Sequence, residues 1–471
     1  MKSRFFIVLI VCLSGLTHTA TTSYKKLFEL NQTKQYYPSS IEELKILVAT
    51  ARKNHQKISL VGANKSQGGQ TISDDNGMRI NLKKLNKLIN LNVADKQATV
   101  QAGMTWAQLQ EYVTPHQLAI KAMQSYQDFA IGGFLSVNVH GQDLTNNPLI
   151  KSVQSFSLLM SDGQIYEVSR TKNPELFGLV IGGYGLFGII TQVTLDLTDN
   201  TMLERQTKFE LTENFVDYFA KNIEHNDQLE FFSARFDLNS KNFLNEMIIV
   251  SYKKTDQIAA LPINSYISTM IQRAKTNLLY RIAQFGLYAV SKSNFIKNIR
   301  FACEGFYFKS GGIMSRNYFM GFPLQSLPQD NASNMYVLQE YFIPYKHVYE
   351  FIQELKTASK KYNINLLNLT ARHVNADNES FLSYSPVPTC AFVLYMSVDK
   401  NEAAYANVVE YGHTLIDTAC SFGGTYYLPY QLIASKEEVR RVYPQFDQFI
   451  ALKKKYDPQE IFVNQLYLKY A

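Results

Sequence analysis

KISLVGANKSQGGQT (Lys57–Thr71) is the stretch on which the fold turns. Its first part, KISLVG, is a short β-branched run of the kind that suits a strand. It passes without a spacer into a loop carrying Gly62, Gly68 and Gly69. Glycine admits both signs of φ and lets backbone approach closely, so successive N–H groups in such a loop can converge on an anion. The loop has neither the GxGxxG of a dinucleotide fold nor the GKS/T of a P-loop, and taken alone it serves equally as a turn.

The order of elements around it narrows the choice. Upstream, SSIEELKILVATARKNHQ (Ser39–Gln56) has a serine cap, acids in its first turn and apolar residues at helical spacing, which predicts a helix. Downstream, Met78–Val113 predicts strand, turn, strand, strand and a helix opening at Thr105. IGGFLSVNVHGQD (Ile131–Asp143) joins a glycine pair to an apolar stretch and a His-Gly. Val153–Arg170 is a hairpin turning on Asp162-Gly163, and FGLVIGGYGLFGIITQVTLDL (Phe177–Leu197) is a second glycine cluster running into a strand.

With these landmarks in this order, the chain resembles the flavoproteins whose FAD-binding domain is typified by vanillyl-alcohol oxidase and p-cresol methylhydroxylase (PCMH). The motifs are GANKSQGGQ, VQAGMTWAQL, IGGFLSVNVHG and GGYGLFGIITQVTL. Within that family it looks most like the sugar-oxidising branch of aldonolactone and alditol oxidases and decaprenylphosphoryl-ribose oxidase. The resemblance implies an α+β protein: a two-subdomain PCMH-type FAD-binding domain at 36–200, then an α+β cap with an antiparallel sheet at 201–430. Residues 431–471 would return to the FAD domain through a closing helix and the DPxxxFxN signature at Asp457–Asn464, with Asn464 structural. It further implies FAD at Gly62, Ala63, Asn64, Lys65, Ser66, Gln67 and Gly68, beside Gly132, Gly133 and His140, with Gly188 and Ile190 toward the adenine end and Tyr427 alongside. His140 is either a neighbour of the isoalloxazine or a structural histidine. No metal site is expected.

Two departures from the family pattern matter. Covalent members often carry a histidine in a GxxHS loop, whereas Gly62-Ala63-Asn64-Lys65-Ser66 has lysine there and no cysteine nearby, so FAD is expected to be non-covalent. Arg372 matches the arginine of the alditol-oxidase ExR pattern, but Thr370 takes its glutamate's place and Tyr430 that of a lysine expected in GGTYYLPYQL (Gly423–Leu432). Oxidising a CH–OH group needs a hydride acceptor, a base for the hydroxyl proton and stabilisation of negative charge on the reduced cofactor. Charged residues on apolar strands are costly to bury unless paired, which singles out Glu340 and Arg372; either faces the cofactor or the other side of its sheet. The base is one of Tyr430, Tyr427, His140 and Glu340. The expected activity is oxidation of a sugar, polyol, lactone or lipid-linked sugar, with oxygen or a quinone-linked partner as acceptor. The alternative is a non-catalytic or electron-carrying flavin protein, which loss of both the glutamate and the lysine favours.

Composition sets the frame. The chain of 471 residues is 46% hydrophobic and 18% charged, with a mean hydropathy of −0.17, which excludes a disordered or polytopic membrane protein. Lys2 and Arg4 precede the apolar run FFIVLIVCLSGL (Phe5–Leu16), so residues 1–22 read as a secretory signal peptide or an N-terminal anchor, and the protein as exported, periplasmic or secreted. The mature chain would keep Cys303, Cys390 and Cys420, an odd set that implies no fixed pairing. The net charge of +7 is concentrated: between Asp256 and Glu304 there is no acid, while Arg273, Lys275, Arg281, Lys292, Lys297 and Arg300 contribute +6. This basic amphipathic insert, 257–303, suits an anionic membrane surface or a helix packed on the cap. No recognisable nucleic-acid-binding motif accompanies the basic residues.

Overall fold

The computed structural model describes residues 34–64, 66–74, 76–124, 126–257, 293–321, 330–331 and 333–471. The N-terminal segment 1–22, Lys65 and residues 258–292 of the basic insert lie outside the described residues.

The described chain forms three sheets. In the first, β1 (Lys34–Tyr36), β2 (Ile58–Val61) and β3 (Met78–Asn81) run parallel in the order β1-β3-β2. Parallel neighbours need a crossover, and the helix Ile41–Asn54 supplies it. That helix starts where the Ser40 side chain accepts from the Glu43 N–H, and it ends at His55 in the left-handed region. The second sheet is antiparallel: β4 (Leu88–Asn92), β5 (Gln97–Gln101), β6 (Leu118–Ile120), β7 (Val153–Leu159), β8 (Ile165–Ser169) and β9 (Ile189–Asp199). Its long strand β9 alternates buried and half-buried residues along Val193–Thr198, as a strand with one face on the core must.

The third sheet has eight strands: β10 (Met202–Leu211), β11 (Leu229–Phe236), β12 (Glu246–Lys254), β13 (Ile313–Ser315), β14 (Asn334–Pro344), β15 (Leu366–Val374), β16 (Thr389–Asp399) and β17 (Thr425–Tyr426). Their order is β13-β10-β12-β11-β15-β16-β14-β17, antiparallel throughout. Strand β14 is buried on both faces for nearly its whole length. On one face Tyr341 packs on Phe351 of the helix Val348–Lys361, and Gln339 lies against Gly412 of the helix Glu402–Ser421. Side chains alternate along a strand, so Leu338, Glu340 and Phe342 point the other way, toward the N-terminal domain.

Two devices hold the cap sheet against that domain. Asp143 bridges to Phe231 of β11, and the buried Arg316 guanidinium pairs with Asp143 and with Glu230, the latter at 2.6 Å. The C-terminus then returns: Ile58 donates to Ile461 O and Val463 to Ile58 O, which adds the tail to β2. Asp457, fully buried with Lys453, accepts from the Ile461 and Phe462 N–H groups and fixes this turn. Asn464 caps the last helix, Gln465–Tyr470, and donates from Nδ2 to Tyr184 O. The three described cysteines are free thiols.

Candidate active site

A cavity lies between the N-terminal domain and the cap, about 310 Å³ in volume. One wall is glycine-rich loop: Gly62, Gly132 and Gly133, then Gly183, Gly185 and Gly188 with Ile190. The other is the cap face: Tyr336, Leu338 and Tyr395 with Tyr427, Pro429 and Tyr430. Ala63, Asn64, Ser66 and Gln67 also line it. Among the described lining residues there is no histidine or cysteine.

The glycine wall fits a bulky dinucleotide. A Cβ on Gly62 would stand 3.6 Å from the Gly133 Cα, so backbone meets backbone where the two loops converge. Gly185 has a φ of +73°, which a side chain would strain. The loop after β2 is not a uniform cradle, however. The N–H groups of Gln67 and Gly68 both donate to Pro429 O at 3.2 Å, and the Gln67 side chain accepts from Leu338 N and donates to Tyr336 O of β14. Gln67 and Gly68 thus tie the loop to the cap. Gly62, Ala63, Asn64 and Ser66 stay on the cavity wall, with Asn64 in the left-handed region and its Oδ1 accepting from Arg79.

Behind Tyr430 lies a buried polar cluster. The Tyr430 hydroxyl donates to Glu340 Oε2 at 3.1 Å, and His140 Nε2 stands 2.6 Å from Glu340 Oε1. Glu340 and His140 are each 3% exposed. His140 therefore meets the cap carboxylate and does not line the cavity, and its Nδ1 is buried without a partner among the described residues. The segment carrying it is positioned by the helix Ile131–Ser136 and by the pairing of Gln142–Leu144 with β11. Burial, then the Glu340 charge, pushes Tyr430 well above the usual tyrosine range. Tyr427 is raised by burial as well, and its hydroxyl donates to Val137 O at 2.7 Å. Burial thus disfavours the phenolate of both tyrosines.

Register places the remaining candidates. Glu340 faces Val393 across β14-β16, and Val393 faces Thr370 across β16-β15. Directly opposed residues share a face, so Glu340 and Thr370 point to the same side, with Arg372 in the adjoining row opposite Ala391 and Phe342. The positive charge of Arg372 reaches Tyr126 and Tyr430, both on the cavity wall. The Thr370 hydroxyl and Arg372 Nε are buried without hydrogen-bond partners among the described residues. Sequence reading did not single out Tyr126, Tyr184, Tyr336 or Tyr395; of these only Tyr184 had a signal, inside the GGYG cluster.

Residues 35–169 match the family model described as FAD binding domain, and residues 193–470, more than half of the chain, match the one described as D-arabinono-1,4-lactone oxidase. L-gulonolactone oxidase of Bos taurus is 26% identical over 42% of this chain and 44% of its own length. Mitochondrial L-galactono-1,4-lactone dehydrogenase of Arabidopsis thaliana is 32% identical over 35% of this chain and 27% of its own. D-arabinono-1,4-lactone oxidase of Yarrowia lipolytica is 29% identical over 34% and 31%. The chain spans less than half the length of these curated relatives. Fold, cavity and family models agree, and the chain belongs to the D-arabinono-1,4-lactone oxidase family, with an FAD-binding domain ahead of it.

Proposed function

We propose that the protein oxidises a CH–OH carbon of a sugar lactone or related polyol, with FAD as the hydride acceptor. The observation that carries this reading is one cavity with a glycine wall suited to FAD on one side and Tyr430, backed by Glu340, on the other. FAD, when bound, supplies the two-electron acceptor. The chain supplies the rest. Gly62 to Ser66 hold the diphosphate, the cap sheet excludes water, and Arg372 favours negative charge beside the cavity. Relatives named as lactone oxidases and as lactone dehydrogenases support a lactone substrate. The acceptor of the electrons is proposed as oxygen or a quinone-linked partner. Anaerobic mixing of the FAD-loaded protein with L-gulono-, L-galactono- and D-arabinono-1,4-lactone should bleach the flavin band at about 450 nm. A flavin bleached by dithionite and by none of these, nor by an alditol panel, would favour the electron-carrying alternative.

We further infer that the protein is exported and works at an anionic membrane surface, where a lipid-linked sugar is the alternative substrate. No helix among the described residues is long and apolar enough to cross a membrane. The helix Asn294–Lys309 supports surface contact: Phe295 (70% exposed), Ile299 and Phe306 (81%) form an outward apolar stripe. Two of the basic residues are used otherwise. Lys297 donates to Asn365, and Arg300 pairs with Glu304 and contacts Leu367 O, so both face the cap. The basic residues of the insert left for a surface are Arg273, Lys275, Arg281 and Lys292, outside the described residues, since the Lys309 ammonium lies over the Phe209 ring of the cap. Protein should co-sediment with phosphatidylglycerol vesicles, and deletion of 258–292 with Phe306→Asp should release it. Undiminished binding by that variant would reject the surface.

A further inference from the structure

Tyr430 is the polar side chain of the buried cluster that lines the cavity, yet burial and its neighbour disfavour its phenolate. Its hydrogen bond offers a route that needs no phenolate. The hydroxyl donates to Glu340 Oε2, so its own lone pairs face away from that carboxylate and can accept. On the far side, one tautomer satisfies His140: Nε2–H donating to Glu340 Oε1 leaves a bare lone pair at the unpartnered Nδ1, whereas a proton there would be an orphaned buried donor. His140 is therefore a donor that orients the carboxylate. The groups facing Glu340 are His140 from the N-terminal domain and Tyr384, Tyr427 and Tyr430 from the cap, with the Arg372 charge reaching Tyr430. A carboxylate offers about four lone-pair sites, and two carry these bonds.

We propose that Tyr430 and Glu340 form a proton relay, in which the Tyr430 hydroxyl takes the substrate's hydroxyl proton while passing its own to the Glu340 carboxylate, with His140 as the positioning residue. The relay rests on the reaction proposed above. The substrate's C–H and O–H bonds break and a C=O bond forms. Two electrons and one hydrogen leave as hydride to FAD, the substrate's hydroxyl proton ends on the Tyr430 oxygen, the proton Tyr430 gave up ends on a Glu340 oxygen, and Tyr430 ends neutral as it began. A carboxylate is basic enough, because the hydroxyl proton becomes strongly acidic as the hydride departs and a protonated carbonyl is the alternative. The carboxylate stands on β14, in one row with Thr370, whose hydroxyl contributes no acceptor of comparable basicity.

Anaerobic stopped-flow reduction of the FAD-loaded protein by the three lactones tests this. Glu340→Gln should lower the limiting reduction rate by about 10²–10⁴-fold, the usual share of acid–base catalysis, and should abolish the loss of rate toward low pH. Lactone KM and FAD content should change little, and Glu340→Asp should restore part of the rate. Tyr430→Phe should cost a similar factor, and the double variant no more than the worse single one, because relay members act as a unit. A Glu340→Gln protein that keeps its FAD and reduces at the wild-type rate, or keeps the wild-type pH profile, overturns the relay alone. So does full additivity of the two substitutions. Wild-type protein reduced by none of the lactones overturns the relay together with the function on which it rests.

Discussion

At the scale of single residues, two positions carry the predictions about the chemistry. Lys65 stands where covalent relatives of the sequence pattern carry histidine, and the described cavity wall holds no histidine or cysteine. FAD is therefore expected to leave the protein on acid precipitation, giving a colourless pellet and a yellow supernatant; colour retained in the pellet would contradict non-covalent binding. Glu340 was legible as an anomaly, an acid in the apolar run LQEYF. The sequence does not reveal its partners, because His140 and Tyr430 lie 200 and 90 residues away along the chain. Arg372 was legible for the same reason, but the neighbours that feel its charge, Tyr126 and Tyr430, come from separate loops.

At the scale of elements, local signals carried far. The capped helix Ile41–Asn54, the hairpin β7–β8 and the strand–helix run from β14 to Lys361 all stand where capping, turn and alternation signals place them. What local signals do not carry is register between strands distant in sequence. The order β15-β16-β14 brings Thr370 and Glu340 into one row, and no pattern within either strand states it. The donation of the Gln67 and Gly68 N–H groups to Pro429 is equally invisible, since any glycine loop has spare donors until its partners are known. The Arg316 contact between domains belongs here too. Replacing this buried guanidinium with methionine leaves Asp143 and Glu230 without their cation, and should cost about 3–5 kcal/mol of stability. Urea unfolding followed by circular dichroism measures it; a change under about 1 kcal/mol would show that the pair is dispensable.

At the scale of the molecule, two domains meet across a cavity, and each brings half of what the proposed oxidation of an alcohol carbon requires. The N-terminal domain brings backbone loops able to approach a dinucleotide closely. The cap brings a sheet face carrying a carboxylate, a guanidinium and a tyrosine beside that cavity. The C-terminal tail locks both loops in place through Gln465 to Gly69 O and Asn464 to Tyr184 O. The most direct measurement is an anaerobic titration of the FAD-loaded protein with D-arabinono-, L-galactono- and L-gulono-1,4-lactone, with flavin absorbance and lactone oxidation followed together. The account predicts that at least one lactone bleaches the flavin, with one C–OH oxidised to C=O for each flavin reduced. A flavin that stays fully oxidised with every lactone, while dithionite reduces it, would contradict it.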